Sequence, residues 1–455
     1  MTHAHRNSQR ENGPRSLVIA ALLLLPLNLM AQQAGDLDNT FGVGGKVLTD
    51  ISGENDEGQD VALQPDGKIV VAGFSPIVAG AGLVQFAVAR YLPDGSLDPG
   101  FGNGGVVLTS FGSINALAQT VALQADGGII AAGYTIDNET GTGGFALARY
   151  LPDGTLDTTF SGDGKLALNV GFGQVNDIVV QPDAKIVAIG TGGLARFQAD
   201  GTLDATFGSG GLVSVDFDQF VAALQSDGKI VTAGSFTDVD PFQRGFALAR
   251  FLPDGSLDTT FGTAGRVDTD VGDEGAISAL MLQPDGKIVA AGTSLSPGAN
   301  FTLARYLSDG TLDTTFGGDG LVTTDFGVGV VSWAFGVGLQ VDGKIVAAGL
   351  GGLARYLPDG TLDTTFGGDG IVIDFGGSDL VIQPDGRLVV GGFFSTTGNE
   401  GGFDFALARY LAEPVPGVGP PTNKQQCKNN GWRTFTIPRA FRNEGDCVRF
   451  VITGS

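Results

Sequence analysis

Arginine and aspartate recur at a fixed offset of eight residues. Arg90 precedes Asp98, and the same spacing joins Arg149 to Asp157, Arg196 to Asp204, Arg250 to Asp258, Arg305 to Asp313 and Arg355 to Asp363. A guanidinium presents a planar fork that matches a carboxylate. Each Arg could brace its own turn as an ion pair, or seven Arg could together line an anion site. One acid per Arg favours the brace. Arg409 has no Asp eight residues later, and Asp38, near the other end of the chain, is its expected partner if the chain closes on itself.

The 455 residues hold 49 acids against 26 bases, a formal charge of −23. Phosphate binding needs a basic surface, so nucleic acid is not an expected partner. Clustered Asp oxygens could bind Ca²⁺, but their spacing does not match an EF-hand loop. Asp beside Gly more commonly closes a turn on its own backbone. The expectation is therefore no cofactor, with Ca²⁺ as the one candidate. A carboxylate pair could also hydrolyse glycosidic bonds, but the Asp positions above recur in most units, whereas a catalytic pair would stand in one place. His3 and His5 are the only histidines, and Cys427 and Cys447 the only cysteines. Without its first 31 residues the chain has no imidazole, which excludes Ser-His-Asp and Cys-His machinery and histidine metal sites.

The elements that position these residues repeat. LDxxF occurs seven times, with Asp at 38, 98, 157, 204, 258, 313 and 363. A QPDGKIV-like turn and a FALARY-like strand also occur seven times each, and the order is always the same, with a period of roughly 54 residues. The second unit reads as four strands: 106–111, 120–124, 129–134 and 145–151. Apolar and aromatic runs bounded by Asp-Gly turns are the hairpin signal. Four strands repeated seven times predict an all-β fold, a seven-bladed β-propeller of four-stranded antiparallel blades. An open β-solenoid is the alternative. The chain ends favour the ring, because the first unit lacks the ARYLPDG strand and the last lacks LDTTF. Residues 45–51 should then form the outer strand of a blade whose three inner strands come from 380–411.

The segments ARYLPDGTLDTTFGGDG and QPDGKIVAAG resemble the bacterial delta-60 repeat family over residues 36–411. That resemblance implies a propeller of secreted or surface proteins, and it implies no catalytic residues or ligand. Two departures stand out: Ala184 replaces the turn glycine, and units three and six have shortened third connections.

Residues 1–31 read as a secretory signal peptide: Arg6, Arg10 and Arg15, an apolar run over 16–30, then Ala31. The run is short of a membrane span and is interrupted by Pro26. Residues 32–411 would be the propeller and 412–426 a Pro/Gly-rich linker. Residues 427–455 would be a small unit, similar to a tail on other secreted bacterial proteins, in which Cys427 and Cys447 would pair in an oxidising compartment. The tail is basic and could dock on the propeller or on an anionic envelope surface.

Binding is expected where the units differ. In a four-stranded blade the QPDG and LPDGxLDxxF turns share one face, and the variable connections share the other. Loops on a rigid scaffold commonly carry function. Glu54, Asp56, Glu57, Asp238, Asp240 and Trp333 lie on those connections and are the candidate binding residues. The leading expectation is an exported, monomeric, non-enzymatic propeller binding a protein or glycan outside the cell or at the envelope, with no membrane span after signal cleavage. A carboxylate-based glycan hydrolase or lyase is the alternative, and a structural surface protein without a ligand the third. Exposed aromatics at the channel mouth would favour glycan binding, a unique pair of buried acids there an enzyme, and a featureless rim the structural role.

Overall fold

The computed structural model describes residues 32–413, apart from 78–81, 113, 138, 172, 238–243, 273, 296–297, 328–329, 375 and 396–401. Seven four-stranded antiparallel sheets follow one another along the chain and close into a seven-bladed propeller. Blade 1 runs from its inner strand Glu57–Leu63 through Ile69–Pro76 and Val84–Tyr91 to its outer strand Val106–Thr109. Blades 2 to 6 repeat this order, and each unit's first β-run serves as the outer strand of the blade before it.

Closure uses both ends of the chain. Blade 7 has the inner strand Asp379–Ile382, then Leu388–Ser395 and Phe403–Tyr410, and takes Lys46–Thr49 as its outer strand. Lys46 lies opposite Ala408 and Thr49 opposite Phe405. The same linkage is seen between other blades. Gly102 N–H donates to Asp153 O at 2.8 Å, Gly208 to Asp254 at 2.8 Å and Gly317 to Asp359 at 2.9 Å. At the seam Gly367 donates to Ala34 O at 2.9 Å and Gly42 to Asp94 O at 2.9 Å, so the closing contact repeats the internal one.

The middle strands are apolar on both sides because every blade is covered twice. Val70 and Ala72 pack against blade 2, while Ile69 and Val71 pack against blade 7. Gly in these strands lets the inner strand approach closely at its register shift. An added Cβ on Gly133 would lie 1.9 Å from Leu117 O, and one on Gly234 would lie 1.8 Å from Asp218 O. Tyrosines of the ARY segment bridge blades through buried hydroxyls: Tyr91 donates to Thr49 Oγ1 at 2.9 Å and Tyr306 to Thr269 Oγ1 at 2.9 Å. The shortened connections of blades 3 and 6 are tight hairpins, with Gly190 opposite Gly193 and Gly349 opposite Gly352.

Candidate functional site

The QPDG and LPDGxLDxxF turns share one face, where each Arg of the ARY strand meets its Asp. Arg90 Nε lies 2.8 Å from Asp98, as do Arg196 from Asp204, Arg250 from Asp258 and Arg305 from Asp313. Arg149 reaches Asp157 at 2.8 Å and Arg355 reaches Asp363 at 2.9 Å. Arg409 lies 2.9 Å from Asp38 across the closure. Each guanidinium also stacks on the Phe of its LDxxF segment, at 4.5 Å for Arg90 over Phe101 and for Arg409 over Phe41. Its other nitrogens reach a carbonyl of the next blade, as Arg409 does to Pro93 O at 2.6 Å. These Arg are buried and neutralised one by one, which leaves none to form a shared anion site.

The brace has a third charged member that the eight-residue spacing does not reveal. In six of the seven blades the residue after the turn sends its cation to the same Asp: Lys68 to Asp98 at 3.6 Å, Lys185 to Asp204 at 3.3 Å, Lys229 to Asp258 at 3.2 Å, and Arg387 to Asp38 at 2.7 Å among them. Against burial, hydrogen bonds from the Thr206 hydroxyl and backbone N–H and then the Arg196 and Lys185 cations hold Asp204 low, at about 2. Blade 2 has Gly128 at that position.

On the variable face, Glu54 is exposed on the loop before blade 1. Asp56 is not a rim group. It is fully buried, and its carboxylate accepts from Ile51 N at 2.8 Å, Ser52 N at 2.9 Å and Ser52 Oγ at 2.9 Å, so it shapes the loop. One oxygen each of Asp50, Asp56 and Asp404 lies within 4.8 Å of the others, an oxygen set of the kind Ca²⁺ takes. Burial and the neighbouring Asp50 and Asp56 charges push the Asp404 carboxyl up. Glu57 and Trp333 begin the inner strands of blades 1 and 6, placing both at the channel mouth. Trp333 is 40% exposed, and its ring meets Phe335 nearly edge-on at 6.1 Å. Asp238, Asp240, Cys427, Cys447 and residues 1–31, expected as a signal peptide, lie outside the described residues.

The most distinctive group of residues went unnoticed in the sequence. A cavity of about 250 Å³ lies in the channel, lined by Gln59, Asp60, Gln119, Thr120, Asn176, Asp177, Phe220, Ser278, Phe335, Ser378 and Asp379, among others. Each inner strand of blades 1 to 6 shifts register here, between Gly58 and Asp60 in blade 1 and between Val175 and Asp177 in blade 3. Such a bulge re-aims side chains. The residue after the shift is Asp60, Thr120, Asp177, Val221, Ala279 and Gly336 in blades 1 to 6. Asp379 occupies the corresponding place in blade 7, four residues before the turn glutamine. The acids and Thr120 therefore occupy four consecutive blades, 7, 1, 2 and 3. Phe220 and Phe335 stand on the remaining arc.

These carboxyls are half-buried and face the channel space. Asp60 accepts from Val61 N at 2.7 Å and, across the blade boundary, from Val121 N at 2.7 Å. Asp177 accepts likewise from Ile178 N at 2.7 Å and Ala222 N at 2.8 Å, and from Thr120 Oγ1 at 3.2 Å. Desolvation outweighs these bonds and pushes Asp177 up to about 7, with the Asp60 charge adding to it. Asp379 lines the same cavity as Asp60. Burial, then the Asp60 charge, raises Asp379 well above the carboxylate range, and burial raises Asp60 as well. The seven inner strands carry Glu57, Asp60, Asp177, Asp218 and Asp379, and no Lys, Arg or His.

A family model described as a domain of unknown function (DUF5122) beta-propeller matches seven segments: 64–101, 124–160, 181–207, 225–261, 283–316, 340–366 and 383–413. The chain belongs to this family. The first six matched segments run from the turn glutamine to the brace phenylalanine and the seventh from Gln383 to Glu413, so the matches cover the hairpins and braces, and the channel acids fall outside them. No match to a curated protein was found. Among solved structures, a catalytically inactive virginiamycin B lyase from Staphylococcus aureus with quinupristin is 9% identical, with a TM-score of 0.48 over 80% of this chain and 98% of that one. The extracellular domain of BT4673 from B. thetaiotaomicron is 13% identical, TM-score 0.42, over 84% of this chain and 40% of that one. An ulvan lyase of polysaccharide lyase family PL25 is 12% identical, TM-score 0.43, over 81% and 96%.

Proposed function

We propose that this protein is an exported, non-enzymatic propeller of the delta-60 repeat kind that binds a glycan at the variable-face mouth of its channel. The observation that carries the reading is the two-sided wall: carboxyls and amides on one arc, Phe220 and Phe335 on the other, with Trp333 at the rim. Sugars present hydroxyls to acceptors such as Asp60, Gln59, Gln119 and Asn176, and bury their C–H faces on aromatic rings. A few convergent polar groups in a concave site is the usual design of a small-molecule pocket. The cavity suits the end of a chain, a single sugar ring, better than a polymer lying across it. Export rests on the 1–31 leader and on the Cys427–Cys447 pair expected of an oxidising compartment.

A second reading has a specific observation behind it. A protonated and an ionised carboxyl side by side are the minimum machinery of glycoside hydrolysis. Binding is favoured because both oxygens of Asp60 and of Asp177 already accept backbone N–H groups from two blades. The test is a panel of defined oligosaccharides on the purified full chain, followed by calorimetry and by product analysis. Saturable binding without turnover, weakened about tenfold by Trp333→Ala or Phe335→Ala, is expected. Turnover lost in Asp177→Asn would establish the enzyme instead, and absence of any binding would overturn both readings.

A further inference from the structure

Exposed apolar side chains gather at one end of one blade. Blade 6 runs through Trp333–Leu339, Ile345–Leu350, Gly352–Tyr356 and Ile371–Val372. Among the described residues eleven large apolar side chains are exposed, and four of them, Val331, Trp333, Leu350 and Ile373, belong to the variable-face end of this blade. Trp333 lies opposite Leu350, Gly349 faces Gly352 across the hairpin, and Ile373 follows directly on the pair Leu353–Val372 of the outer strand. Leu350 is 46% exposed and Ile373 65%, so neither is a core residue seen at its edge. Four strands spaced about 4.8 Å apart make an apolar ridge of roughly 14 Å from the channel mouth to the outer rim.

The fold does not ask for apolar residues there. Blade 3 has the same short hairpin, with Gly190 facing Gly193. Its register places Gln174, Thr191 and Ser214 where blade 6 has Trp333, Leu350 and Ile373, and all three are exposed. The equivalent end of an equivalent blade is therefore polar. Apolar residues scattered singly over a surface need no explanation, whereas a contiguous set marks an interaction surface.

The charge around the ridge says what kind of surface covers it. The variable connections of blades 6, 7 and 1, at 325–334, 349–352, 373–379, 393–404 and 49–58, hold nine acids and no Lys, Arg or His. Asp374 follows Ile373 directly, and Asp325 stands on the connection that leads to Val331; both are exposed. Lys46 reaches in from the outer strand of blade 7 and is held by Asp374 at 2.7 Å. Asp325 accepts from the backbone N–H of Gly327 at 2.8 Å. A second copy of this chain would bring like charge to the ridge, since each copy carries −23. Leu350, Ile373 and Val331 offer a sugar neither a ring face nor a hydrogen bond.

We propose that the variable-face end of blade 6 docks a protein segment carrying an aliphatic stripe bordered by Lys or Arg. The stripe covers Val331, Trp333, Leu350 and Ile373, and the basic border meets Asp325 and the acids of blades 7 and 1. An amphipathic helix has this form: its apolar residues at i, i+3, i+4 and i+7 span about 10 Å, which the ridge accommodates. Apolar burial supplies the affinity, and the surrounding acids select the partner's charge. The docking surface is independent of sugar binding in the channel. Trp333 stands at the edge of both, so the test leaves it in place.

The experiment is titration calorimetry of the full chain with three peptides of about 18 residues. One is a Leu/Lys amphipathic helix, one its Leu/Glu counterpart, and one a Ser/Lys peptide of the same charge without the apolar stripe. The Leu/Lys peptide should bind once per chain and at least about tenfold tighter than the other two. Leu350→Thr combined with Ile373→Ser, the residues that blade 3 has, should weaken it about tenfold. Both positions are exposed, and thermal unfolding checks that the ring is retained. Val331→Ser is measured separately and should weaken binding in the same direction. Equal binding of the Ser/Lys peptide would reduce the effect to adsorption on acidic charge, and equal binding of the Leu/Glu peptide would remove the charge selection. Either result, or ridge variants that bind as the parent does, would overturn the proposal. Any sugar binding should be unchanged in these variants, so the two readings fail separately.

Discussion

Gly128 is the one gap in the ring of braces, and filling it is a quantitative test of how the braces work. In five blades a lysine after the turn places Nζ 3.2–3.6 Å from the brace Asp and 3.1–3.5 Å from the turn Asp. Without it, Asp157 is 17% exposed, the most open of the seven brace carboxylates. An added Cβ at Gly128 would lie 2.8 Å from Gln124 Oε1, the free end of a flexible side chain, and the glycine's φ is not in the left-handed region. Gly128→Lys should therefore fit. Replacing glycine in an extended segment should contribute about 0.5–1 kcal/mol. A half-buried ion pair should add about 0.5–1 kcal/mol more. The sum, about 1–2 kcal/mol, corresponds to a rise in Tm of about 1–2.5 °C in a ring of this size. Gly128→Ala isolates the backbone part, and the remainder should shrink in high salt because the pair is partly exposed. Scanning calorimetry of the three proteins at low and high salt decides it. A Lys variant no more stable than the Ala variant at low salt would refute the claim that the lysine contributes through Asp157.

The other expectations follow from the same geometry. Ala184 holds φ at +64° where the six equivalent turns have glycine, so Ala184→Gly should raise stability by about 1 kcal/mol in urea unfolding; no gain would mean that the turn tolerates the strain. Arg409→Met leaves Asp38 with Arg387 as its remaining cation, so it should cost less than the roughly 3–5 kcal/mol of a buried charge stripped of every partner, and adding Asp38→Asn should recover part of that loss; an additive double mutant would separate the two residues. The native pKa of Asp177 is raised above its unfolded value of 3.8, so the native state binds the extra proton. The stabilisation it contributes is full below pH ~4 and is lost as pH rises to about 7. Denaturant midpoints should fall across that window and flatten in Asp177→Asn; an unchanged slope would contradict the burial argument.

The fold was legible because its signals are local and repeated. Asp-Gly turns fix hairpins, the ARY strand fixes a brace, and complementary ends predict Lys46–Thr49 beside Phe403–Tyr410. Trp333 and Glu57 could be placed at the mouth because they follow connections that vary between units. Asp56 could not, because an acid on a variable loop looks the same whether it faces water or its own backbone amides. Asp60, Asp177 and Asp379 were hidden for a different reason. They sit inside strands, where a polar residue reads as a solvent-facing position, and a register shift not visible in any single unit turns them toward the channel. Aligning the seven units on the turn glutamine would have exposed them as a column that changes from blade to blade.

That column argues against a purely structural role. The register shift occurs with Thr120, Val221, Ala279 and Gly336 as well as with Asp60 and Asp177, so the bulge does not need a carboxylate. A buried carboxyl costs free energy to hold charged, and the backbone bonds to Asp177 do not offset it, since its pKa remains raised. The braces show the opposite arrangement, with every carboxyl matched by cations and held low. One chain thus contains two populations of Asp, one buried in the braces and one half-buried along the channel. The first repeats in every blade and is neutralised. The second is confined to one arc, lacks a counter-charge and lines a cavity. Folding requirements account for the first set, and the second is the set on which the proposed glycan site is built.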